Sequence, residues 1–335
     1  MIDKKDDFTL KEISELSNVS ISTVSRVLAD SPNVKDSTKK KVLSVIEMHT
    51  KRSNYPQMGF IAFIIPDITN QFFPLMLKGI EGICRSKGYD LLVCNTEGNS
   101  KIEEQILKNL IKINILGIVF VGSGKPSDLL VEMVQRRLPP IVFLDRIPSI
   151  NAPVQSITTN NLLAMYQATK YLLSLGHKKI LYLAGPADIS TAEERYSGFL
   201  KALEDSKIDL SNITKINGNY DKITASQETQ NLIDQKKFDY SAICASNDVM
   251  AFGAYETLRK NNYSIPADIS IIGFDDIPTS SLIGLTTVRQ PFEEMGKIAM
   301  LQLLSLIQDA YPSTEQIVLS SNIVIRETCM AAVLR

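Results

Sequence analysis

At 335 residues the chain is long enough for two or three domains, and 44% hydrophobic with 22% charged residues is the balance of a globular protein that buries a core. A net charge of −1 excludes a protein that coats nucleic acid by bulk charge, while leaving room for a local basic patch on one domain. No apolar run approaches the ~20 residues of a membrane helix, and the opening MIDKKDDFTL has neither an apolar h-region nor a small-residue cleavage site, so the expectation is a cytoplasmic protein with no membrane partner.

Residues 9–49 show helical periodicity in short pieces and no strand. Thr9 and Glu12 form a capping box, and Ile13 and Leu16 then give one apolar face. Asn18-Val19-Ser20 interrupts the pattern, and Ser20 is an N-cap for a second helix carrying Val24, Val27 and Leu28. After the loop Asp30-Ser31-Pro32-Asn33, Asp36 or Ser37 caps a third helix with Val42, Leu43, Val45 and Ile46 inside. Three short helices with so tight a turn between the first two predict a helix-turn-helix. Ser22, Thr23, Ser25 and Arg26 project from the second helix, where hydroxyls suit phosphate oxygens and an arginine fork suits guanine or a phosphate. Lys39, Lys40 and Lys41 are placed for contacts to a nucleic-acid backbone. The same residues also suit an ordinary capped helix with a solvated lysine face.

From Gly59 the texture changes to apolar strands alternating with amphipathic helices. Strands are predicted at Ile61–Ile65, Tyr89–Cys94, Gly117–Val121, Ile141–Leu144, Ile180–Leu183, Ala242–Ala245 and Ile269–Gly273. Helices are predicted at Phe73–Lys87, Lys101–Ile111, Leu162–Leu175, Ala192–Glu204, Ala225–Gln235 and Asp248–Asn261. Continuous β-branched runs separated by helices mean parallel strands buried on both faces. Two such series, one before about residue 160 and one after, predict two doubly wound α/β lobes.

Loops after these strands carry Asn70, Asp145, Arg146, Asn247 and Asp275, which converge on one face of such a fold. Carboxylates, amides and guanidinium offer paired donors and acceptors to vicinal hydroxyls, and Phe72 or Phe73 suits the C–H face of a sugar. Structural roles are open as well: Asp275 and Asp276 suit a turn, Phe72 and Phe73 a hydrophobic staple, and Asp145 with Arg146 a local ion pair. His177, in a Leu-Gly-His-Lys-Lys turn, reads as structural. Gly122-Ser123-Gly124-Lys125 lacks P-loop spacing. Cys84, Cys94, Cys244 and Cys329 are far apart with no C-x-x-C pair, which fits reduced core thiols. With two histidines, no nucleophile elbow and no metal pair, no catalytic residue, cofactor or metal is expected.

The run Val19-Ser20-Ile21-Ser22-Thr23-Val24-Ser25-Arg26-Val27-Leu28 resembles the signature of the lactose-repressor (LacI) family of bacterial regulators. The resemblance implies that Ile21 and Ser22 read bases and that Thr23 to Arg26 supply phosphate and base contacts. The candidate DNA-facing set is Thr9, Ser20, Ile21, Ser22, Thr23, Ser25 and Arg26. The family usually has Asn-Gly where this chain has Ala29-Asp30. The linker Met48 to Met58 is several residues short and lacks the family's minor-groove leucine motif.

The resemblance continues from Ile61 to about Glu327, through Pro66-Asp67-Ile68-Thr69-Asn70-Gln71-Phe72-Phe73, Asp145-Arg146, Leu175-Gly176-His177, Asn247-Asp248-Val249-Met250-Ala251, Gly273-Phe274-Asp275-Asp276-Ile277-Pro278 and Leu285-Thr286-Thr287-Val288-Arg289-Gln290-Pro291. This part is similar to periplasmic sugar-binding proteins of the ribose-binding type. Matching residue by residue adds Arg195, Tyr220 and Gln290 to Asn70, Phe72, Phe73, Asp145, Arg146, Asn247 and Asp275 as ligand-binding candidates. Gln71 replaces the family's common proline, and Gly122 lacks the polar side chain often found after the third strand.

The implied organisation is an all-α headpiece over 1–49, a linker over 50–58 and a periplasmic-binding-protein-like core over 59–335. Within the core the N-lobe takes 59–160 and 291–320, and the C-lobe 161–290 and 321–335. The implied function is a repressor, with operator DNA and a sugar effector (ribose or a related pentose) as partners. A homodimer is implied too, with the helix Phe73–Lys87 as a candidate contact surface. Alternatives are control by another small molecule or a protein co-repressor, or sugar binding without DNA.

Overall fold

The protein is described by a computed structural model covering residues 13–14, 17–29, 31, 34–35, 37–43, 59–308 and 315–332. The chain divides into two compact units, Met1–Gly59 and Phe60–Arg335. The capping box at Thr9, the loop positions Asp30, Pro32 and Asn33, the cap Asp36, the apolar positions Leu16, Val45 and Ile46, and the linker with Lys51 and Arg52 lie outside the described residues.

In the first unit, helix α1 (Ile21–Leu28) starts at Ser20, whose extended backbone and side-chain oxygen accept the Thr23 N–H. The turn before it passes through Asn18 at φ 53°, a left-handed conformation that asparagine tolerates. It is tied by the Ser14 hydroxyl donating to the Val19 carbonyl at 2.6 Å. Val24 and Val27 pack with Ile13 and with Val42 from the helical residues 37–43. Leu43, expected inside, is instead 45% exposed. At 100° per residue it falls outside the narrow stripe that so small a unit covers.

The second unit holds two parallel sheets. Strands β1 (Phe60–Ile65), β2 (Asp90–Asn95), β3 (Gly117–Phe120), β4 (Ile141–Leu144), β5 (Gln155–Thr159) and β11 (Gln316–Leu319) form the first, in the order β11-β5-β4-β3-β1-β2. Strands β6 (Ile180–Ala184), β7 (Ile213–Asn217), β8 (Ala242–Ala245) and β9 (Ser270–Ile272) form the second, in the order β7-β6-β8-β9. A third, antiparallel pair joins β10 (Thr287–Arg289) to β12 (Asn322–Val324). Helices α2 (Phe72–Lys87), α3 (Ser100–Lys112) and α4 (Asp128–Arg136) follow strands of the first series. In the second series come α5 (Asn161–Ser174), α6 (Ser190–Asp205), α7 (Lys222–Asp234), α8 (Asp248–Lys260) and the short α9 (Pro278–Leu282). Helix α10 (Phe292–Ile307) returns the chain to the first sheet.

Alternation along the strands builds the cores. Ile61, Phe63 and Ile65 enter one cluster with Met76, Ile80 and Leu303, while Ala62 and Ile64 enter the opposite one with Leu107 and Leu130. The second sheet splits in the same way, Ile180 and Tyr182 to one side and Leu181 and Leu183 to the other. Sheets buried on both faces need continuous apolar strands, which is the pattern the sequence carries.

Helices α2 and α10 cross at two glycines. A Cβ on Gly79 would stand 2.2 Å from the Glu293 carbonyl oxygen, and one on Gly296 2.2 Å from that of Met76. Backbone cannot yield as a side chain can, so Gly79→Ala is expected to destabilise the core by about 1–3 kcal/mol. A lowered denaturant midpoint with unchanged secondary structure is the observable result.

Candidate functional site

On α1 the positions expected to face DNA form one exposed surface. Ile21, Ser22, Ser25 and Arg26 are exposed and Thr23 is half-buried, while Val24 and Val27 hold the helix down. The Ser20 hydroxyl lies 3.1 Å from that of Ser22 and 2.9 Å from that of Thr23, so the helix start presents clustered hydroxyl oxygens. Lys40 and Lys41 are exposed nearby in sequence.

In the second unit the C-terminal ends of both sheets meet at a cavity. Asn70, Phe72, Phe73, Asp145 and Arg146 line it from the first sheet's side, and Arg195, Tyr220, Asn247 and Asp275 from the second's. Thr191, on the first turn of α6, lines it too. The cavity is partly open, and its space of about 20 Å³ is room for roughly one water, so a larger ligand requires the lobes or side chains to part.

Local folding places each group. The Asn70 side chain accepts the Phe72 N–H at 3.1 Å, turning the chain into α2. Phe72 and Phe73 meet edge to face with centroids 5.0 Å apart, and both belong to the core cluster while lining the cavity. Asn247 is the N-cap of α8, accepting the Met250 N–H at 2.9 Å. Tyr220 sits at φ 57°, with its hydroxyl 3.2 Å from that of Thr191. Asp145 and Asp275 follow β4 and β9 at φ 66° and 120°, uncommon backbone regions of the kind that gather at functional sites.

The electrostatics are unusual for a buried surface. Arg195 donates from Nε to Asn161 Oδ1 at 2.8 Å and from a terminal nitrogen to the Ser246 carbonyl at 2.6 Å, with Asp275 Oδ1 at 3.5 Å. Its guanidinium lies 3.8 Å over the Phe274 ring. Burial pushes the Asp275 carboxyl well above its ordinary range despite Arg195, and burial likewise raises Asp145 despite Arg146 and Arg195. Arg146 donates to the Gly122 carbonyl at 2.8 Å, and its Nε stands 3.6 Å from Asp145 Oδ2. Asp145 Oδ1 and Arg146 Nε are both buried without a hydrogen-bond partner in the protein. Such groups cost about 1–3 kcal/mol each when left unmade, and they face a cavity where a polar ligand could satisfy them.

Of the predicted ligand residues, Gln290 is not in the cavity wall. It is buried one step behind, donating to Asp275 Oδ1 at 2.8 Å and accepting from the Thr159 hydroxyl at 2.7 Å. Asp276 turns away and is held by Arg289 and Arg326, each at 2.6 Å. Sequence reasoning missed Thr191 and Asn161, whose positions at helix starts read as ordinary caps. It also missed Glu103, buried on α3, which accepts the Ser123 N–H and supports the loop whose Gly122 carbonyl holds Arg146. Among the described residues no group of three His, Cys, Asp or Glu is placed to hold a metal ion, and no helix is long and apolar enough to cross a membrane.

Comparison with known proteins settles the family. The family model for bacterial regulatory proteins, lacI family, matches residues 9–52, and a periplasmic binding protein-like domain model matches 169–329. The HTH-type transcriptional repressor PurR of Vibrio atlanticus is 32% identical over 90% of this chain and 92% of its own. The ribose operon repressor of Halalkalibacterium halodurans is 30% identical over 96% of both chains. The chain belongs to the lacI family of bacterial regulatory proteins. A LacI family transcriptional regulator from Enterococcus faecium, solved with bound ribose, superposes with a TM-score of 0.75 at 29% identity, covering 81% of this chain and 99% of that one. This lacI-family protein is thus a DNA-binding transcriptional repressor with a periplasmic-binding-protein-like core, and its relatives are regulators rather than enzymes.

In this lacI-family core, His177 is a staple. Its Nδ1 lies 3.0 Å from the Ser241 hydroxyl and its Nε2 3.0 Å from the Met330 carbonyl, which pins the C-terminal segment to the second lobe. Burial lowers the His177 pKa below 6.5, so the unfolded chain takes up its proton first as pH falls. Stability from this residue is therefore present above about pH 6.5 and lost below it. His177→Gln is expected to flatten the fall in unfolding midpoint between about pH 7 and pH 5, relative to the parent protein.

Proposed function

We propose that this repressor binds operator DNA through α1 and that a neutral polyhydroxyl sugar, ribose or a related pentose, controls its affinity from the cavity between the lobes. The observation that carries the reading is that the buried atoms Asp145 Oδ1 and Arg146 Nε have no hydrogen-bond partner in the protein, set among amides, aromatic rings and further charged groups. Asp145, Asp275, Arg146 and Arg195 line the cavity together with Asn70 and Asn247. That mixture of donors and acceptors suits a ligand rich in hydroxyls. The named specificities of the ribose operon repressor and the ribose-bound regulator support the pentose.

The headpiece over 1–49, linker over 50–58 and lobes divided near 160, 290 and 320 act as one linked system in this reading. Sugar favours one lobe arrangement, and operator affinity changes by the differential affinity of sugar for the two states, commonly 1–3 kcal/mol. The protein acts in the cytoplasm as a homodimer, which presents two headpieces to half-sites about one helical turn apart. The α2 surface is the proposed contact between copies.

Fluorescence anisotropy on DNA from upstream of the protein's own gene, with and without ribose, tests both halves. Salt-sensitive binding that ribose alters supports the reading, and Arg26→Ala is expected to weaken it by about 1–3 kcal/mol. Binding indifferent to ribose but altered by another sugar would keep the site and change its ligand. Binding that no sugar alters would overturn the effector half, and absence of specific DNA binding at low salt would overturn the other.

A further inference from the structure

The chain passes between the lobes at three places: Thr159 to Asn161, Arg289 to Pro291, and Leu319 to Asn322. Side chains at the first two crossings close a ring with the cavity. Thr159 donates its hydroxyl to Gln290 Oε1 at 2.7 Å, and Gln290 Nε2 donates to Asp275 Oδ1 at 2.8 Å. Asp275 Oδ1 meets Arg195 at 3.5 Å, and Arg195 Nε donates to Asn161 Oδ1 at 2.8 Å. Asn161 Nδ2 then returns to the Thr159 carbonyl at 3.2 Å. The Asn160 N–H donates to the Leu319 carbonyl at 3.2 Å, which joins the third crossing to the first.

We infer that Thr159, Asn161 and Gln290 are positioning residues that lock the angle between the lobes to the placement of Asp275 and Arg195. All of the ring's residues are at most 3% exposed, so bulk solvent does not reach its links. Rotation of one lobe turns the crossings, and any displacement of the crossings must stretch a bond to Asp275 or to Arg195. Conversely, a ligand that draws those two cavity groups by a fraction of an ångström pulls on the crossings directly. Asn161 is central because its amide carbonyl holds Arg195 while its amide N–H groups hold the Thr159 carbonyl and, at 3.0 Å, Glu194. Gln290 serves as a link in this ring, with both ends of its amide committed within the protein.

This inference rests on the cavity being the ligand site for its biological meaning, but its test needs no ligand. Fluorescent probes are placed at the exposed positions Lys112 on the first lobe and Lys236 on the second, in the full ligand-free chain. The distance distribution between them is compared for parent, Thr159→Val, Asn161→Leu and Thr159→Ser. Valine keeps the shape of threonine without its hydroxyl, and serine keeps the hydroxyl. The expected result is a shifted distribution for T159V and N161L and a parental one for T159S. Amide exchange over 155–161 and 287–292 should also run about tenfold faster in T159V than in the parent, since one buried link and its acceptor are lost. A T159V that folds cooperatively with the parental distance and exchange would overturn the inference, as would T159S shifting as far as T159V. If N161L fails to fold, T159V and T159S decide the matter. Failure of every sugar to bind the parent would overturn the ligand reading and leave this result standing or falling by itself.

Discussion

Asp145→Asn is expected to weaken sugar binding by roughly 100-fold or more while leaving operator binding and stability close to the parent's. The size follows from removing one partner of a buried, charge-assisted contact, commonly 2–5 kcal/mol of binding. The selectivity follows from the geometry. Asp145 Oδ1 makes no hydrogen bond within the protein and Oδ2 meets Arg146 Nε only at 3.6 Å, so the substitution takes little from the fold itself. Asparagine tolerates φ 66° as aspartate does, so the backbone after β4 need not move. Burial already pushes the Asp145 carboxyl up, which means that the folded protein bears a cost for this charge that a neutral amide removes. Titration calorimetry with ribose and a denaturant melt on the same sample separate the two effects. Unchanged sugar affinity would place the ligand away from Asp145, whereas joint loss of affinity and stability would mean that the carboxylate is structural.

The cavity was largely legible in the sequence because the positions that matter follow strands. Asp145 and Asp275 come directly after an apolar run and Asn70 a short loop after one, where an open parallel sheet leaves its crevice, and a carboxylate or amide at such a place stands out. Thr191 and Asn161 do not stand out, since Thr and Asn at a helix start are what capping alone would select. Gln290 shows the limit from the other side: its residue type suits a sugar, but its amide is spent between Thr159 and Asp275. Distances of that kind depend on how β10 lies against β5, which no local pattern encodes.

The fold was legible for the same reason and failed in the same way. Strand β5, Gln-Ser-Ile-Thr-Thr, is polar in composition and carries no strand signal, yet all of it is buried because β4 and β11 flank it on either side. Its neighbour β11 lies more than 150 residues away by chain, as the pairing of Ser156 with Gln316 shows. The three-residue strands β10 and β12 likewise carry no strand signal. They belong to the returns between lobes, where short segments take their structure from partners remote in sequence. In the headpiece hydrophobicity misleads in the opposite direction, since it places Leu43 inside where the fold leaves it exposed.

Asp248→Ala is expected to destabilise the core by about 3–5 kcal/mol. Asp248 is fully buried at the start of α8 and accepts from the Ile277 N–H at 3.1 Å, the Ser280 hydroxyl at 2.6 Å and the Thr287 hydroxyl at 2.6 Å. It therefore ties α8 to α9 and β10, the elements that carry the chain from Asp275 toward Gln290. Gly273 makes room for it, since a Cβ there would stand 2.2 Å from Asp248 Oδ1. Alanine would leave three buried donors without an acceptor. Burial raises the Asp248 carboxyl from 3.8 to about 7, and the nearby Asp276 adds to that shift, against the pull of its three donors. Because the folded pKa lies above the unfolded one, the folded state holds the proton more tightly, and stability from protonated Asp248 is full below about pH 4. It is lost as pH rises through about 7. The gap in unfolding free energy between parent and D248A should thus be wider at pH 5 than at pH 8, the reverse of the trend expected from His177. Urea melts of both proteins across that range would show it, and a gap that widened toward alkaline pH would mean that the three donors, rather than burial, set the charge of Asp248.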